Sequence, residues 1–331
     1  MKWPLTALGP VTMPVLAFTT PVLGLLVYSG IPYLMLAAAA LALAADPAAP
    51  LKGLRRGPRI AALGIGFVAL GCARALFAPE AANAGQMITF QALLLGAWLV
   101  LNGAPAPARA TARALAAGIV IAAAAIVVDT ALGHGPAARY ATLIGETFSP
   151  SAFNRALTIL VLLTFVQLGA VTLPRALRLA SMGAVAAAVF LGEGAAAMAA
   201  LALGALAAAL TARLGVRVTG VLAVLAAMVI LGMPFMVRNV PVDDDAFMAR
   251  FPPGNAQARL HIWDYTAGRA LERPLLGWGP DAGQYFSELP KIDRPLVRDG
   301  EAIPWVARPI PSHPHNGPLQ LWLEYGLVGR S

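Results

Sequence analysis

Cysteine is nearly absent from this chain: Cys72 is the one thiol in 331 residues. It lies inside an apolar segment, which excludes an internal disulfide framework and a cysteine-based metal site and leaves it the role of a small packed residue. Charge is scarce too, with 12% Asp, Glu, Lys and Arg against 59% apolar residues and a mean hydropathy of +0.72. A soluble domain carries about 25% charged and roughly 45–50% apolar residues. A soluble globular fold is therefore excluded, and a polytopic membrane protein remains. The apolar segment after Lys2 lacks a small-residue cleavage site and is followed by many more such segments, so it reads as a first span and not as a secretion signal. No repeat of solenoid period is present. Histidine is rare as well: there are four, and two of them, His313 and His315, flank one proline near the C-terminal end.

A membrane span needs roughly 20 mainly apolar residues, since about 30 Å of hydrocarbon is crossed at 1.5 Å per residue. Such stretches fall near 11–29, 31–45, 60–77, 86–101, 114–128, 155–172, 176–191, 195–212 and 218–236, and another begins near 318. The expectation is an all-α bundle of about ten spans, made of residues 1–236, one large loop at 237–317 and the start of a further helix at 318–331. Acidic residues are almost missing from one set of connections. Lys2, the "LKGLRRGPR" loop, Arg109, Arg113, Arg175, Arg178, Arg213 and Arg217 share a side whose one acidic residue is Asp46. By the positive-inside rule that side is cytoplasmic, and all four histidines and the large loop lie outside. The net charge of +8 and pI near 10.2 are thus a topology signal and not a nucleic-acid footprint. The basic loops suit contact with anionic membrane lipids, although orientation alone accounts for them.

The outer loop holds most of the polar chemistry. After "FPPGN", Asn255 is placed to N-cap a helix near 256–272 that Pro274 stops. Leu260, Trp263, Ala267 and Leu271 share one face of it, and Arg259 lies one turn before Trp263. "PLLGWGPDAG" follows as a glycine-rich turn, with Gly277 and Gly279 suited either to let backbone amides approach a ligand or simply to bend the chain. The run Asp243-Asp244-Asp245 reads as a solvated loop, and two histidines without a third ligand do not make a zinc site. Arg155 opens a span on the outer side, as a phosphate or sugar contact or as a snorkelling anchor. In "FLGEGAAAM" the preceding span is short, so the turn at Glu193 is expected below the outer surface, its carboxylate facing a polar cavity or Arg155. Gln320 and Glu324, one turn apart, share a face of the last helix; Glu324 is read as lining a cavity, with a helix–helix hydrogen bond as the alternative.

The tail reads His-Asn, nine residues, Gly, two residues, Gly: His315, Asn316, Gly326, Gly329. Together with "RLHIW" and "RPLLGWG" between Arg259 and Gly279, this resembles the signature of the O-antigen ligase superfamily, which also holds O-antigen polymerases and protein O-oligosaccharyltransferases. The resemblance implies transfer of a glycan from undecaprenyl diphosphate to an acceptor at the periplasmic face of the bacterial inner membrane, without metal, cofactor or nucleotide sugar. It implies His315 as the base that takes the acceptor hydroxyl's proton and Arg259 as the diphosphate ligand, with Asn316 orienting the histidine or the acceptor. A histidine of ordinary pKa near 6.5 suits the first task and an arginine fork the second. Trp263, Gly277, Gly279, Arg155, Glu193 and Glu324 are the expected substrate-binding surroundings.

The acceptor expected first is lipid A-core, which would make the chain an O-antigen ligase. A polymerase extending the lipid-linked glycan shares every motif, and protein glycosylation comes after it. A transporter is the rival of another class, and would place its charges near the bilayer midplane instead of the outer lip. Two departures stand out. The Ser-Arg pair common in such proteins near the Glu193 turn is missing, which puts Arg155 forward as a substitute. Only 14 residues run from Pro318 to Ser331, so the chain is expected to be truncated where further helices would follow.

Overall fold

The computed structural model describes residues 9–26, 30–79, 81–143, 151–168, 173–192, 195–215, 217–251, 255–289, 292–293, 296–298, 301–310 and 313–327. In chain order its helices are α1 (Gly9–Leu26), α2 (Gly30–Ala45), α3 (Ala49–Arg56), α4 (Pro58–Ala75), α5 (Ala81–Gly103), α6 (Ala108–Ala131), α7 (Gly135–Leu143), α8 (Ser151–Leu168), α9 (Arg175–Leu191) and α10 (Ala195–Leu214). They continue with α11 (Arg217–Arg238), α12 (Asp245–Met248), α13 (Asn255–Glu272), α14 (Ala282–Ser287) and α15 (Gly317–Tyr325). Four strands of two or three residues pair antiparallel as two ribbons, β1 (Ile292–Asp293) with β4 (Val306–Ala307) and β2 (Leu296–Arg298) with β3 (Glu301–Ile303). The protein is an all-α membrane protein, as its composition requires.

Each of the nine expected spans coincides with a helix, but helix and span are not the same thing. Among the described residues five helices, α4, α5, α6, α10 and α11, are long and apolar enough to cross a bilayer alone, and six segments qualify if α2 and α3 count as one. Among the described residues, length and hydropathy alone therefore do not confirm the figure of about ten spans; α1 and α8 are apolar but short. The basic "LKGLRRGPR" stretch, residues 51–59, is also largely helical and not a loop. Its first six residues belong to α3, bent by 111° from α2, with Lys52 paired to Asp46 at 2.6 Å across the bend. Leu63, Val128, Leu203, Val224 and Phe235 are all exposed. Outward apolar side chains on this scale suit a hydrocarbon solvent and not water.

The chain divides into two compact units, Met1–Ala61 with Leu93–Val218 and Ala62–Ala92 with Thr219–Ser331. In the first unit α6 is central. Its Ile119, Ala122, Ala123 and Ile126 are fully buried against Leu157 and Leu160 of α8, Val185 and Val189 of α9, and Ala197 of α10. Alanine at these positions lets the backbones approach closely where no water-driven force presses helices together. The second unit contains α11 to α15 and both ribbons, and carries the motifs singled out above.

Candidate active site

Helix α13 starts at Asn255 itself, whose side chain, and with it the expected N-cap, lies outside the described residues. The helix is fixed from below by a polar clamp. Gln257 is fully buried; its Nε2 donates to the carbonyls of Met248, Phe251 and Val297 at 2.8 to 3.0 Å, and its Oε1 accepts from the Val297 amide at 2.7 Å. The expected apolar face is present in part: Ala267 is buried beside Val237 of α11 and Leu319 of α15, with Trp263 packed against them.

Two of the residues selected from the sequence lie on this helix. Arg259 is exposed on α13, and one turn later Trp263 Nε1 donates to the carbonyl of Pro314 at 2.9 Å. Pro314 stands between His313 and His315, whose rings meet edge-on with centroids 4.3 Å apart. His315 is exposed and has φ of +52°, in the left-handed region that non-glycine residues seldom adopt. Asn316 then caps α15, its Oδ1 accepting from the Leu319 amide at 3.2 Å. That oxygen is committed to the helix end, so Asn316 holds the loop's exit in place.

The glycine-rich turn is occupied by the chain itself. Gly277 has φ of +64°, and a Cβ there would lie 2.5 Å from the Glu324 carbonyl carbon; Gly326 has φ of +59° and lies equally close to Leu275. Trp278 and Gly279 amides donate to the carbonyls of Leu323 and Glu324 at 2.6 and 2.9 Å, and Leu327 donates back to Pro274 at 2.9 Å. The turn at 274–279 and the end of α15 thus interlock by backbone alone. Gly279 lies against Ala78, whose Cα would be 2.9 Å from an added Cβ. On the side where a Cβ would stand, the space at Gly277 is thus filled by the Glu324 and Tyr325 backbone and that at Gly279 by Ala78. Glu324 is 3% exposed and accepts from Gln320 Nε2 at 3.0 Å within its own helix. Gly329 of the tail signature lies outside the described residues.

A polar cavity of about 230 Å³ opens on the other side of α13, lined by Arg238, His261, Asp264, Tyr265, Arg269 and Glu272. Arg238 pairs with Asp264, and Arg269 bonds Tyr265 at 3.1 Å and Glu272 at 2.8 Å. Burial works against the Arg269 charge, and those bonds outweigh it, so its pKa lies above the ordinary arginine value. His261 is buried and stacks on Trp305 with centroids 5.8 Å apart. None of these residues was selected from the sequence, although a signal was there: Gln257, His261, Asp264 and Gly268 make a polar stripe at helical spacing. Arg155 is exposed on α8 in the first unit, and Glu193 lies outside the described residues. Asp244 caps α12, accepting from the Ala246 and Phe247 amides at 2.9 and 3.2 Å.

Residues 140–330 match the family described as O-antigen ligase. Similar proteins include one from Rickettsia conorii (strain ATCC VR-613 / Malish 7) named "Putative polysaccharide ligase", 32% identical over 98 residues, or 29% of this chain and 22% of that protein. A protein of the same description from Rickettsia bellii (strain RML369-C) is 34% identical over 88 residues, 26% of this chain and 19% of its own. The chain thus matches about a fifth of the length of these relatives. No solved structure matches it.

Proposed function

This chain belongs to the O-antigen ligase family, and on that premise we propose that it transfers a polysaccharide from an undecaprenyl-diphosphate carrier to lipid A-core at the periplasmic face of the inner membrane. In this reaction an acceptor hydroxyl oxygen attacks the anomeric carbon. His315 takes the hydroxyl proton as the new C–O bond forms. The bond from the anomeric carbon to the diphosphate oxygen breaks, its electron pair stays on the leaving diphosphate, and the Arg259 guanidinium meets the added charge. The reading uses no metal and no nucleotide sugar.

The Trp263–Pro314 hydrogen bond supports it most, because it ties the helix that carries Arg259 to the loop that carries His315. Both side chains are exposed beside that tie, where an acceptor and a lipid-linked donor have access. The test is a lipopolysaccharide gel from a strain lacking the gene, complemented with the natural chain, His315→Ala or Arg259→Ala, with the lipid-linked pool analysed in parallel. Bare core with long polymer still on the carrier, rescued by the natural chain alone, is the expected result. Core bearing a single repeat assigns a polymerase instead, and an unchanged ladder removes both.

A further inference from the structure

We propose that Arg74 and Arg273 form a second anion site in this protein, one that seats the phosphate headgroup of an amphiphile and is separate from the Arg259–His315 site. Arg74 ends α4, one of the helices long and apolar enough to span a bilayer. It is only 8% exposed, yet the one hydrogen bond of its guanidinium among the described residues runs from Nη2 to the Gly277 carbonyl at 2.9 Å. Its Nε is enclosed and has no hydrogen-bond partner there. Arg273, which directly follows α13, lays its guanidinium over the Trp278 ring at 3.8 Å from the centroid. Neither arginine forms an ion pair among the described residues.

Both line one cavity of about 480 Å³, within the size range of small-molecule sites. Two guanidinium groups on one wall repel each other, and a largely buried charge without a counter-charge is costly. An anion relieves both costs, and a phosphate oxygen pair matches the planar guanidinium fork. The rest of the lining is Gly277, whose carbonyl already accepts from Arg74, and the apolar Phe77, Pro274, Leu275 and Leu276, of which Phe77, Leu275 and Leu276 are exposed. Such walls are of no use to a free inorganic anion in water and suit one carried on a hydrocarbon chain. A position at the end of a spanning helix is where such headgroups lie. The shared chemistry is a phosphate or diphosphate on an apolar tail, whether on a polyprenyl chain or a bilayer phospholipid.

The test uses the full chain purified in detergent, with farnesyl diphosphate, short-chain phosphatidylglycerol, inorganic diphosphate and short-chain phosphatidylcholine as probes. Binding is followed by thermal shift and native mass spectrometry. Farnesyl diphosphate is expected to bind at least tenfold more tightly than inorganic diphosphate and to lose that binding tenfold or more in Arg273→Gln. Phosphatidylglycerol binding with the same sensitivity to Arg273→Gln also upholds the site and makes bilayer phospholipid its source. Leu276→Ser keeps both cations and wets the wall; it should lose the preference for the prenyl chain while inorganic diphosphate binding stays. Equal binding of farnesyl and inorganic diphosphate overturns the proposal, as does binding of every probe unchanged in Arg273→Gln. Phosphatidylcholine binding as tightly as the anionic probes overturns it too. The outcome is independent of whether His315 is a base, since no probe requires transfer.

Discussion

The indole N–H of Trp263 donates to the carbonyl oxygen of Pro314 at 2.9 Å, joining residues 51 positions apart. Through it the exposed Arg259 and the exposed His315 become neighbours of one buried-edge tryptophan, although each sits on a different element. Neither residue needs the other to hold its place. Packing of Trp263 and Ala267 against Val237 and Leu319 sets the helix, and the Asn316 cap sets the loop's exit.

That relation makes Trp263→Phe informative. The ring still fills its place, and only the bond to Pro314 is lost. A net hydrogen bond contributes about 0.5–1.5 kcal/mol, so transfer measured in membranes should fall roughly three- to tenfold while the amount of inserted protein stays constant. Trp263→Ala removes packing as well and should lower both. Equal transfer by Trp263→Phe and the natural chain would separate the indole from the site.

His315 holds φ of +52°, a region that costs a side-chain-bearing residue on the order of 1 kcal/mol and glycine nothing. His315→Gly therefore should match or exceed the natural chain in thermal stability and yet be inactive in transfer. A histidine kept there only for structure would give the opposite pattern, with transfer intact. The melting temperature and the lipopolysaccharide ladder of that one variant decide the matter.

Gln257 offers a prediction about the frame. Its carboxamide serves three carbonyls and one amide, all within the second unit. Gln257→Leu keeps the volume and strands these groups in a buried setting, at a cost of about 2–4 kcal/mol. Limited proteolysis should then cut within 237–317 faster than in the natural chain. An unchanged digestion rate would show that α12 and β2 do not depend on the clamp.

Much of this architecture is legible in the amino-acid sequence. Hydropathy located every helix from α1 to α11 except α3 and α7, because long apolar runs leave a chain in lipid no other backbone solution. The amphipathic stretch at 256–272 and the His-Asn start of α15 were equally plain. The polar face of α13 was not. Its apolar stripe is the plainer pattern in the sequence, yet Gln257, His261 and Asp264, at matching helical spacing, are buried as well. The glycine-rich turn was legible as a turn, but its occupant was not. That Gly277 faces the backbone of Glu324 depends on a contact between residues 47 positions apart, which no local pattern encodes.

That contact yields the sharpest stability prediction. At Gly277 an added Cβ would meet the Glu324 and Tyr325 backbone at 2.5 to 2.6 Å, and φ of +64° would strain the residue besides. Gly277→Ala should cost on the order of 3 kcal/mol, the sum of overpacking and a left-handed alanine. The loss should appear as poor accumulation of the full-length chain and a lowered melting temperature. Gly268→Ala is the matched control: nothing lies within 4 Å of its added Cβ, and α13 gains helix propensity of up to about 1 kcal/mol. If Gly277→Ala proves as stable as Gly268→Ala, then the interlock of the 274–279 turn with the end of α15 is not what holds these segments together.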